Sequence, residues 1–134
     1  MKLLLDTHIL LWAITNDQEL TETTKELILC ADNDIYFSII SVWEVQLKHL
    51  AHPKALPIDG EQFASYCKDS GFKCLPLNCK PIFLLKKLRR KQESAPHKDP
   101  FDRLLICQAL DENMLFITHD HLLNDYDVAN VVSV

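Results

Sequence analysis

Short apolar segments alternate with helical segments along the whole chain, and this alternation restricts the fold more than any other feature. Segments such as Lys2–Leu5 and Leu115–Thr118 place apolar residues at consecutive positions, without intervening polar residues. A strand of this kind buries both of its faces, which is typical of a parallel sheet with helices on each side. The sequence therefore predicts an α/β sandwich with a mainly parallel central sheet.

Start and stop signals divide the chain into eleven elements. The predicted strands are Lys2–Leu5, 35–40, 72–77, Leu115–Thr118 and 128–134. The predicted helices are 9–14, 21–29, 41–50, 60–70, 78–91 and one that begins at Asp99-Pro100. Ser41 and Glu44 fit a capping box, and Asp99 fits an N-cap before a first-turn proline.

The length of 134 residues suits one domain, 1–134, and the 48% hydrophobic content argues against disorder. Asp6 and His8 interrupt the apolar N-terminus, and no apolar stretch reaches the 18 residues of a membrane span. We therefore expect neither a signal peptide nor a membrane anchor, and we expect a cytoplasmic protein. The five cysteines form no C-x-x-C motif, so we expect reduced, mostly buried thiols.

The net charge of −5 is unusual for a protein that binds nucleic acid. Basic residues nevertheless cluster in the chain, so a polyanionic substrate is not excluded. The candidate phosphate contacts are Lys86, Lys87, Arg89, Arg90 and Arg103. Acidic side chains gathered around metal ions would also count toward the negative total without repelling such a substrate.

Four acids follow a strand or begin the helix after it. Asp6 comes directly after one apolar strand and Asp120 comes two residues after another. Glu44 and Asp102 lie in the first turn of predicted helices. Ligands of parallel sheets bind beyond the carboxyl ends of the strands, so these acids can converge there. Carboxylates held together repel one another unless a cation neutralises them, and Mg²⁺ and Mn²⁺ prefer oxygen ligands. Such ions can activate water for phosphodiester cleavage.

Most of these acids also have a structural interpretation. Glu44 completes the predicted capping box, Asp102 suits the positive end of a helix dipole, and Asp120 could cap a turn. Asp6 has no evident capping role. The histidines His8, His97, His119 and His121 are candidate transition-metal ligands, but we favour their interpretation as surface groups or as supports of the acids. Composition and spacing alone therefore indicate a metal site as one interpretation among several.

Four motifs in series resemble the PIN-domain family, and in particular the VapC-type toxins of type II toxin–antitoxin modules. They are Leu-Leu-Leu-Asp6-Thr-His, Ile-Ser-Val-Trp-Glu44, His97-Lys-Asp99-Pro-Phe-Asp102-Arg and Ile-Thr118-His-Asp120. The match extends over nearly the whole chain in the correct order. One departure is Cys107, where relatives often have a small residue such as alanine.

The resemblance implies a five-stranded parallel α/β/α fold, a Mg²⁺- or Mn²⁺-dependent endoribonuclease, a homodimer and inhibition by a VapB-type antitoxin. By position, Asp6, Glu44 and Asp102 match the three main metal-binding acids, and Asp120 matches the fourth, more variable one. Thr118 matches a hydroxyl that orients an acid. Thr7 and Asp99 are expected to support the site, and Asp99 is the rival of Asp120 for the fourth place.

Partner binding is a further expectation. The apolar segments 9–12 and 42–47 predict a groove for a helical antitoxin segment, although Trp12 and Trp43 equally suit a buried core. The alternative to a nuclease is a non-catalytic PIN scaffold that binds RNA or protein, which would have no reason to keep a self-repelling acid cluster. A receiver-like phosphoacceptor is disfavoured because Asp6 stands alone and no lysine follows Lys98.

Overall fold

The five strands of the computed structural model, which describes residues 1–134, form one parallel sheet. The strands are β1 (Lys2–Leu5), β2 (Asp34–Ser38), β3 (Lys73–Leu75), β4 (Leu115–Thr118) and β5 (Val131–Ser133). Their order in the sheet is β3-β2-β1-β4-β5, and every neighbouring pair is parallel. This confirms the predicted α/β architecture with a parallel sheet.

Six α-helices connect the strands. They are α1 (Thr7–Thr15), α2 (Glu22–Leu29), α3 (Ile39–Ala51), α4 (Gly60–Asp69), α5 (Cys79–Leu84) and α6 (Pro100–Asp111). Two short 3₁₀ turns, Leu85–Lys87 and His121–Asp125, follow α5 and β4. None of the helices combines the length and the apolar composition that a membrane span requires.

Each face of the sheet has its own hydrophobic core. Leu4 and Phe116 point to one face, where they pack with α6 residues such as Leu105. Leu3 and Leu5 point to the other face, where they pack with residues of α1 and α4. All three leucines of β1 are fully buried. Burial of each such side chain stabilises the fold by about 1.5–3 kcal/mol, so packing on both faces stabilises the central strand.

Two helix starts differ from the sequence prediction, and both bear on candidate site residues. β2 ends at Ser38, whose hydroxyl caps α3 by accepting a bond from the amide of Ile40. The predicted capping box of Ser41 and Glu44 is therefore wrong, because both residues lie inside the helix. Helix α1 begins at Thr7, and the Asp6 carboxylate caps it. The expectation that Asp6 has no capping role is wrong as well.

Other predicted elements were longer than the observed ones. The helix predicted over 78–91 ends after α5 and one 3₁₀ turn, because the next segment pairs its backbone with the region around Tyr126 instead. The Lys91 amide donates to the Asp125 carbonyl, and the Asp127 amide donates to the Arg89 carbonyl. The third and fifth strands contain only three residues each.

Burial also corrects several expectations. Cys30, Cys74 and Cys79 are exposed, so the cysteines are not mostly buried. Ile9 and Leu10 lie in the core and cannot line a surface groove. The expectation that Trp43 is buried is wrong, because 52% of this residue is exposed.

Candidate functional site

The sheet changes its direction of winding between β1 and β4. The chain proceeds from β1 outward to β2 and β3, whereas β4 and β5 lie on the other side of β1. The connections after β1 and β4 therefore diverge and leave a crevice beyond the carboxyl ends of the two strands. Asp6 follows β1 and Asp120 lies two residues after β4, so both acids border this crevice.

Asp6 is held rigidly at the end of β1. One carboxylate oxygen accepts a 2.8 Å bond from the His8 amide as the N-cap of α1. The other accepts a 2.6 Å bond from the hydroxyl of Thr118, the last residue of β4. Burial raises the pKa of Asp6 above its usual range, although the bonds from Thr118 and His8 act against this shift. The residue is only 4% exposed.

Glu44 reaches the site from the second turn of α3 and is 3% exposed. One carboxylate oxygen, Oε2, lies 2.8 Å from the ammonium of Lys48, one helical turn later. The other, Oε1, is buried and has no hydrogen-bond partner. Buried polar atoms are almost always paired, so an unpartnered carboxylate oxygen marks a position where another group can bind. The Thr7 hydroxyl donates to the Ser41 hydroxyl at 2.8 Å and thereby ties α1 to α3 beside this acid.

The tightest group of potential metal ligands comprises His97, Asp102 and Asp120. One side-chain atom of each residue lies within 4.8 Å of the other two. The His97 Nε2 atom is 3.3 Å from Asp102 Oδ2, and the imidazole is only 8% exposed. Asp6 and Glu44 do not belong to this closest group, but both are near enough to act electrostatically on Asp102.

Asp102 is a carboxyl group whose ionisation is opposed both by burial and by neighbouring negative charges. Burial, followed by the charges of four neighbouring acids, raises its pKa to about 8. The four acids are Asp99, Asp6, Glu44 and Asp120. Without a cation, Asp102 thus keeps its proton at neutral pH. A carboxyl group whose pKa is raised by other carboxylates is a common sign of a functional site.

Tyr126 is a residue beside the acids that was missed from the sequence, and His97 lies closer to them than its expected surface or supporting role indicated. The His97 Nδ1 atom lies 2.7 Å from the Tyr126 hydroxyl, and Tyr126 is fully buried. The expectation of a surface or supporting role for His97 rested on its place in a polar loop. The family motif that begins at His97, five residues before Asp102, was the available signal, and nothing in the sequence marks Tyr126.

Asp99 and Asp120 differ in what their side chains do. The Asp99 Oδ1 atom caps α6 by accepting bonds from the amides of Phe101 and Asp102. Asp120 also caps a turn, through the Leu122 amide, and its own amide donates to the Thr118 hydroxyl. Only Asp120 belongs to the closest group of ligand atoms. The geometry thus favours Asp120 over Asp99 as a member of the site.

The basic residues divide into exposed side chains and side chains that are partly buried and make contacts within the fold. Lys86, Lys87 and Arg89 are exposed. Arg90 is half-buried, and its guanidinium donates to the carbonyls of Ala95 and Leu122 and lies 4.6 Å from the centre of the Tyr126 ring. These contacts give Arg90 a structural role. Arg103 is partly buried and lies 3.4 Å from the Tyr126 hydroxyl.

An open pocket of about 240 Å³ gives access to the acids and is lined by Asp6, His8, Trp12, His119 and Asp120. Trp12 and His119 pack edge to face, with ring centres 5.2 Å apart. The site thus combines buried carboxylates, an unpartnered oxygen and an imidazole beside an opening. Oxygen and nitrogen donors with excess negative charge fit a divalent cation.

Comparison with known proteins agrees with this architecture. The solved structure of VapBC2 from Rickettsia felis, bound to a DNA fragment from their promoter, contains a chain with a TM-score of 0.71 and 21% identity. The alignment covers 99% of this chain and 98% of that chain. VapBC-1 from nontypeable Haemophilus influenzae gives a TM-score of 0.60 at 17% identity, with coverage of 99% and 98%. At these identities the likeness establishes the fold.

A toxin–antitoxin complex from Klebsiella pneumoniae has a similar chain, with a TM-score of 0.57, 18% identity and coverage of 97% and 95%. No curated protein matches the sequence significantly. The PIN domain family profile matches residues 3–129, which is nearly the full length and includes every acid of the site. On the strength of that match, this chain belongs to the PIN domain family.

Proposed function

We propose that this protein is a divalent-metal-dependent endoribonuclease and the toxin component of a type II toxin–antitoxin module. The observation that carries the proposal is the acid cluster at the crevice between β1 and β4, in which Lys48 pairs only with one oxygen of Glu44. Glu44 has a buried oxygen without a partner, and neighbouring carboxylates contribute to raising the pKa of Asp102 to about 8. A chain of the PIN domain family has a reason to maintain such a cluster if a cation occupies it.

Asp6, Glu44, Asp102 and Asp120 would hold Mg²⁺ or Mn²⁺. Bound there, such a cation would supply activation of water and neutralisation of the negative charge that develops during phosphodiester cleavage. The surrounding residues fix the acids before substrate arrives. Thr118 orients Asp6, and the Asp99 cap holds the first turn of α6 that carries Asp102. Thr7 fixes the distance between α1 and α3.

RNA would approach through the open pocket, as a single strand or as the exposed part of a structured molecule. Lys86, Lys87 and Arg89 offer exposed positive charge, and Arg103 lies one residue after Asp102. Arg90 would assist only indirectly, since it ties the preceding loop to the segment that contains Tyr126. Phosphate contacts of this kind supply affinity without sequence selection.

A partner surface is available on α3. Ile39, Trp43, Leu47 and Leu50 recur at helical spacing, and each is at least 42% exposed. An exposed apolar stripe of this kind suits a protein partner. Chains similar in fold occur in VapBC and toxin–antitoxin complexes. We therefore assign this stripe to a VapB-type antitoxin, which keeps the 42–47 part of the expected groove and replaces the 9–12 part. We retain a homodimer as the expected toxin assembly.

The experiment is an RNA cleavage assay with Mg²⁺, Mn²⁺ or EDTA, using the wild type, Asp6→Asn and Asp59→Asn. Asp59 is the matched control, because it also caps a helix but lies at the start of α4. Asparagine preserves an N-cap, so both variants should fold. We expect cleavage with metal by the wild type and Asp59→Asn only. Full activity in Asp6→Asn would contradict the proposal.

A non-catalytic scaffold makes a different prediction in the same experiment. It would bind RNA or protein without cutting RNA, and calorimetry would detect no metal site that depends on Asp6. Co-purification with the product of an adjacent small gene tests the antitoxin assignment. Light scattering of the purified toxin measures whether it is a dimer.

A further inference from the structure

We propose that His97 supplies a nitrogen ligand to the metal site, so that the site selects first-row transition ions such as Mn²⁺ over Mg²⁺. This inference rests on the proposed function and concerns its cofactor. His97, Asp102 and Asp120 are the three residues whose ligand atoms approach one another most closely. A cation that binds the two carboxylates would therefore lie within reach of the imidazole.

Burial and orientation make His97 suitable as a ligand. The imidazole is 8% exposed, and its Nε2 atom faces Asp102 Oδ2 at 3.3 Å. The opposite nitrogen, Nδ1, lies 2.7 Å from the Tyr126 hydroxyl. Metal-binding histidines usually use one ring nitrogen for the ion and fix the other through a hydrogen bond to a neighbouring group. His97 has this arrangement.

Tyr126 is the positioning residue. Its hydroxyl lies 3.2 Å from the carbonyl of His97 and 3.4 Å from the Arg103 guanidinium. When the hydroxyl donates to that carbonyl, Nδ1–H of the imidazole donates to the hydroxyl oxygen, and Nε2 presents its lone pair toward Asp102. Arg90 packs over the Tyr126 ring at 4.6 Å and holds the ring in place.

The remaining acids balance the charge of the ion. Glu44 Oε1 is buried and unpartnered, which leaves an oxygen donor available beside the nitrogen donor. A purely carboxylate site suits Mg²⁺ and Mn²⁺ alike, whereas an imidazole favours transition ions, whose affinity rises from Mn²⁺ to Cu²⁺ and falls at Zn²⁺. The mixed set of carboxylates and imidazole therefore shifts the preference of this site away from Mg²⁺.

The decisive measurement is electron spin-echo envelope modulation of Mn²⁺ bound to the full chain, which detects a directly coordinated nitrogen. The variants are His97→Gln and His119→Gln. His119 is the matched control, because it borders the same pocket but its ring packs against Trp12 and its Nδ1 binds the Val134 carbonyl. We expect nitrogen coupling in the wild type and His119→Gln, and its loss in His97→Gln.

Calorimetry gives the second readout. We expect His97→Gln to reduce the ratio of Mn²⁺ to Mg²⁺ affinity about tenfold or more, and Tyr126→Phe to reduce it less. Mn²⁺ binding without nitrogen coupling in the wild type, or coupling that survives in His97→Gln, would overturn the assignment of His97 and leave the nuclease proposal intact. Binding of Mg²⁺ without Mn²⁺ by the wild type would likewise overturn only the assignment of His97, whereas failure to bind either ion would overturn both proposals.

Discussion

The Thr118 hydroxyl donates a 2.6 Å hydrogen bond to the Asp6 carboxylate, although 112 positions separate the two residues in the chain. The bond joins the ends of β1 and β4 at the point where the sheet changes its direction of winding. The same hydroxyl accepts the Asp120 amide at 3.0 Å. One side chain therefore fixes two acids of the site.

Replacement of Thr118 by valine should lower RNA cleavage and metal affinity about 10- to 100-fold, because both acids lose a common support. Thr24→Val is the control, since Thr24 is also buried but its hydroxyl bonds to Thr21 at the start of α2. Cleavage assays and metal calorimetry on both variants make the comparison. Equal losses in the two variants would show that Thr118 acts through general stability alone.

The metal-free protein should lose stability as the pH rises from about 4 to about 8. The folded Asp102 has a pKa of about 8, raised from 3.8, so in this window it binds a proton that the unfolded chain has released. Folding is then favoured at low pH, and this contribution disappears as the pH passes the folded pKa. Thermal unfolding in EDTA at several pH values measures the slope of the unfolding free energy against pH. Further buried acids such as Asp6 would add to this slope.

Asp102→Asn should flatten this slope and stabilise the metal-free protein at pH 8 by roughly 1–3 kcal/mol, since it removes a buried group among like charges. Saturating Mn²⁺ should stabilise the wild type by about 2.7 kcal/mol at one hundred times its dissociation constant. Asp102→Asn should gain less stability from Mn²⁺ than the wild type does. An unchanged slope in Asp102→Asn would refute the assignment of the shift to this residue.

Lys48 should stabilise the protein mainly when no metal is bound. Its ammonium lies 2.8 Å from the buried Glu44 carboxylate and supplies positive charge there. We expect Lys48→Met to lower the melting temperature in EDTA and to lose most of that deficit when Mn²⁺ is added. Lys73→Met is the control, because Lys73 pairs with Asp34 in an exposed position. An exposed pair contributes little, so its removal should have a small effect that metal does not change.

Lys86 and Lys87 should contribute to RNA affinity, whereas Arg90 should contribute to stability. Replacement of both lysines by alanine should weaken RNA binding and reduce the salt slope of log affinity by about 0.7 per lost phosphate contact. Arg90→Ala should cost about 2 kcal/mol of unfolding free energy, because the carbonyls of Ala95 and Leu122 lose a charged donor. Binding titrations over a salt series and chemical denaturation separate the two roles.

Local sequence determined the elements whose signals are self-contained. Consecutive apolar residues in β1 and β4 required a strand buried on both faces, and the structure has these strands with the predicted bounds. Asp99 followed by Pro100 determined the start of α6. The ordered motifs also indicated the family that the profile match establishes. Each of these signals depends on a few neighbouring residues and needs no distant contact.

Tertiary structure decided what each acid does. From the sequence, Glu44 had a capping role and Asp6 had none, yet Asp6 caps α1 and Glu44 caps nothing. Two separate shifts caused these changes: Ser38 caps α3 three residues before the predicted cap Ser41, and α1 begins at Thr7, two residues before its predicted start. The bond between His97 and Tyr126 joins residues 29 positions apart, and the bond between Thr118 and Asp6 joins residues 112 positions apart. Such contacts arise only when the sheet brings strand ends together, so they could not be derived from local patterns.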